Sequence, residues 1–369
     1  MRVLRLFLLC CLAWSATAAE YTLDTGEIEG ARYTVARPKR WNRQILLVAH
    51  GYRNESAELL ADLYPDRPAY QSLLREGWVV AKTSYRRNGV IIQDAMRDLD
   101  LLCEHLARRL GTPERVVVEG ESMGGLIALL IAERVPSDTQ LYHGVVAIDP
   151  ALQMRDAEPA LGLTMQPKIP VVLLANRSEI EPSRMYAQVK IPPEFRPYVP
   201  ALLRVNRDGH VNVNQAERLL ALRALLGWLD SGTPTLSAAE NTQGYIDATR
   251  IPEPLPSRVF LDEDGRGFTA HVSEVTAMNG NVLLDVQPGD FGAIGLARNA
   301  WFQVTIRDQA FRVFFGTDFK SVKRGEWVVF ENADGFHWLA RNGQSAAATA
   351  NVQVGDVVHV RRYAPPPGG

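Results

Sequence analysis

Cysteine is scarce in this chain, with three among 369 residues, and two of them, Cys10 and Cys11, lie close to the N-terminus. If a leader carrying that pair is removed, only Cys103 remains, and one thiol cannot close an internal disulfide. A disulfide-stapled scaffold is therefore excluded. An excess of basic charge is also missing: 40 Lys and Arg face 42 Asp and Glu, for a formal charge of −2. The broad positive face that nucleic-acid binding requires is not expected, and nucleic acid is not an expected partner. A membrane-length apolar run is lacking as well, because the N-terminal stretch LFLLCCLAW is too short to span a bilayer stably.

That stretch follows Arg2 and Arg5 and ends in the small residues Ala16, Thr17, Ala18 and Ala19. A positive start, a short apolar centre and a small-residue exit form a secretory signal, read here as residues 1–19 with cleavage after Ala18 or Ala19. No small residue precedes Cys10 as a lipoprotein signal would need. Removing the leader takes away two arginines and no acid, which brings the formal charge from −2 to −4. A secreted or periplasmic protein with no membrane span after processing is the expectation. Cys103 falls on one helical face with Ala95, Leu99, Leu102, Leu106 and Leu110, so it reads as a core residue.

What is present is enough apolar material, 46% of the chain, for a large core and two domains. Apolar strand candidates run over 44–50, 77–85, 115–120, 144–150 and 169–177, with helical patterns over 93–110, 123–134 and 213–230. This alternation predicts a doubly wound α/β domain over 20–232, with its ligand site at the carboxyl ends of the strands. Residues 233–257 are polar and proline-bearing and read as a linker. Beyond it, from 258 to 369, NVLLDV, AWFQVTI, FRVFF, GEWVVF and DVVHVRR predict a second, smaller, mainly β domain, barrel-like or sandwich-like, with a disordered APPPGG tail.

The chemistry centres on VVVEGESMGG, where Ser122 stands between Gly120 and Gly124 at a strand-to-helix turn. Such a turn holds a serine hydroxyl exposed above the sheet in a strained backbone. A serine nucleophile needs a base, an acid to orient that base, and donors for an oxyanion. The backbone amides of Met123 and of Tyr52, the latter in VAHGYR, are the candidate donors, with His50 orienting that loop. His210 in RDGHVN, just before the last helix of the domain, is the candidate base. For the acid, Glu179 in ANRSEIEP is favoured; Asp149 in AIDP is the main alternative, and Glu181 and Asp208 are also near at hand.

Together GESMG, HGY, an acid after a later strand and DGH resemble the α/β-hydrolase fold family over roughly residues 25–230, in the chain order Ser, Glu, His. The resemblance implies hydrolysis through an acyl-enzyme on Ser122, with no metal or other cofactor. Two departures stand out: a Glu in place of the commoner Asp, and Ala175-Asn176 in place of a glycine-histidine lead-in to the acid. The family's substrates are diverse, and a small-molecule carboxylic ester is the broadest expectation. A peptidase or thioesterase of the same fold, or a non-catalytic binding or adaptor protein, are the alternatives. A cap over 183–205 could place Tyr186, Phe195 and Tyr198 around an apolar pocket, and Arg86 and Arg87 could meet a substrate carboxylate.

The second domain is similar, over about 271–361, to the C-terminal domain of S-adenosylmethionine hydroxide adenosyltransferases and related halogenating enzymes. Asn281, Phe319, Asn332, Gly335, Asn342 and Ala346 stand at recurring motif positions. Asn279 replaces a phenylalanine, Ala277 an aspartate and Trp338 a glutamate, and that family's catalytic N-terminal domain is absent. The resemblance therefore implies a domain that serves the hydrolase or docks a protein partner, and no adenosyl transfer. One prediction follows from the leader. Protein recovered from an exporting bacterial host is expected to begin at Ala19 or Glu20 by N-terminal sequencing, and a retained Met1 would contradict it.

Overall fold

The computed structural model describes residues 21–134, 141–155, 162–195, 197–234, 244–253, 255–276 and 279–363. The proposed leader, Ala277 and the APPPGG tail lie outside them.

The described residues open with a hairpin of β1 (Tyr21–Ile28) and β2 (Ala31–Pro38), joined by Glu29-Gly30. Both turn residues have positive φ, which suits a tight two-residue hairpin. Then come β3 (Gln44–Ala49), α1 (Pro68–Arg75), β4 (Val79–Thr83), α2 (Ile92–Leu110), β5 (Arg115–Glu121), α3 (Met123–Glu133), β6 (Gly144–Ile148) and β7 (Val171–Asn176). The domain continues through α4 (Ile180–Gln188), β8 (Ala201–Val205), α5 (Gln215–Ser231) and β9 (Ile246–Asp247). The strands form one sheet in the order β1-β2-β4-β3-β5-β6-β7-β8-β9, antiparallel at the hairpin end and parallel from β4 onward.

Both faces of this sheet are covered, which is why its central strands are apolar at consecutive positions. Along β3, Ile45, Leu47 and Ala49 face the layer of α2, α3 and α4, while Leu46 and Val48 face α1 and α5. Cys103 is buried in the first of these layers, and burial pushes its thiol up to about 12, so it packs as an inert apolar group.

Two sequence expectations change here. The segment over 183–205 is not a cap, because it carries the end of α4 and β8, a strand paired parallel with β7. Part of the expected linker also belongs to the first domain. β9 extends the sheet beside β8, and the Ala248 amide donates to Arg204 O at 2.7 Å.

The second domain comprises β10 (Phe260–Leu261), β11 (Gly267–Val275), β12 (Val282–Leu284), α6 (Pro288–Ala293), β13 (Trp301–Ile306), β14 (Gln309–Phe315), β15 (Trp327–Glu331), β16 (His337–Arg341), α7 (Ala346–Ala350) and β17 (Val357–Arg362). Pairing of β11 with β17 closes the sheet β10-β11-β12-β16-β15-β14-β13-β17 into a barrel around Phe268, Phe291, Phe302 and Phe315. Closure removes exposed sheet edges along the joined strands. β11 and β16 escaped sequence reading: HWLAR and GFTAHVSEV mix polar residues into short apolar runs.

The junction of β5 and α3 fixes the geometry of everything above the sheet. A Cβ on Gly124 would lie 2.0 Å from Ala49 O and 2.8 Å from His50 O, so the start of α3 fits against the end of β3 only because Gly124 has no side chain. Gly124→Ala is expected to lower stability by about 1–3 kcal/mol, read as an earlier midpoint in urea unfolding. An unchanged midpoint would show that this contact is not tight.

Candidate active site

Ser122 sits between β5 and α3 with φ 56° and ψ −117°, a conformation that an L-residue adopts only under tertiary constraint. Several contacts impose it. The Ser122 amide donates to Ile148 O at 3.0 Å, and its carbonyl accepts from Leu126 at 3.1 Å and Ala151 at 3.0 Å. A Cβ on Gly120 would meet Gly124 O at 2.0 Å, so the turn can be this sharp only with glycine at position 120.

The serine hydroxyl lies 2.9 Å from Nε2 of His210, and Nδ1 of His210 lies 2.6 Å from Glu179 Oε2. This chain of contacts sets the tautomer: Nδ1–H donates to the carboxylate, which leaves the Nε2 lone pair to accept from the hydroxyl. Glu179 stands at the end of a short turn after β7, and His210 stands in the loop between β8 and α5. The structure thus brings together Ser122, His210 and Glu179, three groups that are 57 and 31 residues apart in sequence.

The residues expected to supply the oxyanion donors lie near Ser122. Met123 is the first residue of α3, where a backbone amide has no intrahelical acceptor. Gly51 presses on Ser122, since a Cβ there would lie 3.3 Å from Ser122 Cβ and 3.8 Å from Oγ, and Tyr52 follows directly. His50 is buried and stacked on Tyr85 with ring centroids 4.0 Å apart. Its ring nitrogens meet Gly51 O at 2.7 Å and Ser84 O at 3.0 Å. Burial, with Arg53 and Lys82 nearby, lowers its pKa to about 3, so it is a neutral ring that holds the loop.

Asp149 does not contact the imidazole nitrogens. It is buried, and its two oxygens accept from the Asn176 and Val211 amides, each at 2.8 Å. Burial pushes its carboxyl up to about 6 despite those two bonds. The group therefore ties the end of β7 to the residue after His210. Asn176 works on the same loop: Nδ2 donates to Arg207 O and Asn212 O, and Oδ1 accepts from the Asn212 amide. What reads in sequence as a lost glycine-histidine lead-in is thus a side chain that braces the histidine loop.

The remaining acids point elsewhere. Asp208 pairs outward with Arg177 at 2.7 Å, and Glu181 pairs with Arg184. Among the described residues, Asp149, Glu179 and His210 form a group whose ligand atoms lie within 4.8 Å of one another. Asp149 accepts from two backbone amides there, and Glu179 accepts from the imidazole N–H.

Other expectations need correction. Tyr186 is fully buried and donates to Glu133 Oε1 at 2.9 Å, Tyr198 packs edge-on against Trp228, and Phe195 is exposed. None of these three lines the cavity at Ser122. Arg86 is tied to Asp98, at 2.9 Å through Nε, and Arg87 to Asp94 at 2.7 Å, so neither is offered to a substrate.

A cavity of about 450 Å³ opens at Ser122 and His210, within the range of small-molecule sites. Its walls include Tyr52, Arg53, Asp62, Tyr64, Arg67 and Lys82 from the first domain. Apart from Tyr52, sequence reasoning missed these, because ordinary charged and aromatic residues carry no spacing signal.

Residues 86–190 match the family described as "Serine aminopeptidase, S33", and residues 279–359 match "SAM hydroxide adenosyltransferase C-terminal domain". The first domain has the α/β-hydrolase fold. The esterase Pf2001 of Pyrococcus furiosus is similar to this chain at 18% identity, covering 57% of it and 89% of the esterase, with TM-score 0.39. A putative dienelactone hydrolase from Klebsiella pneumoniae is 15% identical over 57% of this chain and 99% of its own, with TM-score 0.43. An uncharacterized conserved protein from Thermotoga maritima is 21% identical over 39% of this chain, with TM-score 0.27, and the match spans 49% of that protein's length. A comparison with curated proteins gives no match. The assignment to the α/β-hydrolase fold rests on strand order, the Ser122 turn and the match over 86–190.

In Asp149 the fold favours the protonated acid, because its pKa is raised from 3.8 to about 6. That contribution is full below about pH 4 and is lost as pH rises through about 6, by up to about 3 kcal/mol. Asp149→Asn lacks the titration and turns an NH2 toward one of the two amides. Thermal unfolding between pH 4 and 7 is expected to show a flatter pH profile in the variant, and equal slopes would contradict the assignment.

Proposed function

We propose that this protein is an exported serine hydrolase that cleaves a carboxylic ester through an acyl-enzyme on Ser122. The observation that carries the proposal is the continuous contact Ser122 Oγ, His210 Nε2, His210 Nδ1, Glu179 Oε2 on a nucleophile held at φ 56°. In this reading Ser122 Oγ attacks the ester carbonyl as its proton passes to His210 Nε2. The Met123 and Tyr52 amides donate to the oxyanion, and Glu179 stabilises the imidazolium. The C–O bond to the alcohol then breaks, and the alkoxide takes the proton from His210. Water repeats the sequence: its proton goes to His210, its oxygen forms the new C–O bond, and Ser122 leaves reprotonated.

A non-catalytic binding protein is the rival from another class, but a scaffold has no use for an aligned base and acid behind a strained serine. An aminopeptidase is a second reading, favoured by the description of the family matched at 86–190. An aminopeptidase must hold a free α-ammonium group. The acids on the cavity wall are each paired with a cation already: Asp62 with Lys82 and Arg53, Glu274 with Arg67, and Glu121 with Arg218. This supports an ester over a peptide amine.

Export rests on the leader pattern of residues 1–19. No described helix is long and apolar enough to cross a membrane. Adenosyl transfer is not proposed, since this chain pairs the small domain with a hydrolase.

With p-nitrophenyl butyrate as substrate, Ser122→Ala and His210→Ala are each expected to lower kcat by at least about a thousandfold. The double variant is expected to lose little more, because the groups act as a unit. Glu179→Gln should lose at least about a hundredfold through the wrong tautomer. Half the activity surviving in Ser122→Ala would contradict the mechanism.

A further inference from the structure

The wall of the Ser122 cavity is not built by one domain. Glu274, Thr276 and Asn279 of the small domain line the same cavity as Ser122 and His210. Two separate contacts hold them there. Arg67, at the start of α1, donates through Nη2 to both oxygens of Glu274 at 2.7 and 2.9 Å, and both side chains are largely buried. Charge-assisted bonds of this kind are stronger than neutral ones. On the other side, the Gln215 amide at the start of α5 donates to Asp334 Oδ1 at 2.7 Å. Asp334 is presented by a turn in which Asn332 Oδ1 accepts from the Asp334 and Phe336 amides, and in which Gly335 has φ 80°. α5 begins five residues after His210, so this contact braces the base loop too.

The charges on the shared wall balance. Arg53, Arg67 and Lys82 stand against Asp62, Glu121 and Glu274. Behind the wall, Arg218 bridges Glu119 and Glu121. A net charge on a bound ligand would find no free counter-charge and would lose its hydration on entry, which is costly in a partly buried site. Among the small-domain residues on the wall, Asn279 is exposed and neutral, able to donate and to accept.

We propose that the small domain completes the substrate pocket, and that Asn279 on its wall selects a compact, uncharged ester. The proposal rests on the hydrolase reading above and names the substrate class of that same site. The cavity volume suits a small molecule.

The test compares kcat/KM of the full chain on three p-nitrophenyl esters of similar size: the butyrate, the hemisuccinate, which carries a carboxylate, and the 4-aminobutyrate, which carries an ammonium. The butyrate is expected to lead both charged esters by at least about tenfold. Asn279→Asp adds one anion to the balanced wall and is expected to raise the ratio of aminobutyrate to butyrate by at least about tenfold. Asn279→Ala, at an exposed position, checks that the shift is one of charge and should not reproduce it. Arg67→Met, which removes one cation from the wall and leaves Glu274 without its partner, is expected to raise the aminobutyrate and lower the hemisuccinate relative to the butyrate. Charged esters turned over as well as the butyrate, or ratios in Asn279→Asp within twofold of the parent, would overturn the proposal while leaving the hydrolase reading in place. No turnover of any of the three esters would overturn both.

Discussion

The architecture depends on one close approach, the contact between the end of β3 and the turn that carries Ser122. Ala49, His50 and Gly51 lie against Gly120 to Gly124 so closely that a single added carbon at Gly124 would fall 2.0 Å from a carbonyl oxygen. That approach holds Ser122 at φ 56°, at a cavity that Tyr52 also lines. The strain is stored locally and is held by hydrogen bonds from β6 and from α3. Everything else at the site is an arrangement of groups around this fixed point.

The first arrangement is the histidine loop. His210 has no regular secondary structure to hold it, and three side chains do so instead: Asp149 through the Val211 amide, Asn176 through Asn212, and Ser178 through the Gly209 amide at 2.9 Å. Catalytic loops are accurate when the groups behind them are themselves fixed. Asp149 and Asn176 are both buried, so the brace belongs to the core as much as to the site. The second arrangement is the small domain, whose Glu274 and Asp334 reach across to α1 and α5.

How much of this was legible in the sequence follows from how far each signal travels along the chain. The parallel strands were legible because burial on both faces leaves continuous runs of Val, Leu and Ile, as in VVLLAN of β7. Ser122 was legible because its two glycines sit two positions away on either side. Glu179 and His210 were found from their places after successive elements, but their contact through 31 residues of chain is a property of the folded sheet. β8 was hidden in a proline-rich stretch and read as part of a cap, and β9 was hidden in a polar one. The shared wall was beyond sequence reading altogether, because Arg67 and Glu274 are 207 positions apart and nothing local marks them as a pair. Asn279 offered a faint signal, as a departure from the aromatic residue of the domain it resembles, at the position that lines the cavity.

The central claim is that Ser122 is a nucleophile activated by its neighbours. Incubating the processed protein with a fluorophosphonate and mapping the adduct by peptide mass spectrometry tests this most directly. The account predicts one phosphonyl group per chain, on Ser122, formed far more slowly in His210→Ala. A protein that takes up no label, or takes it up at another serine, would contradict it.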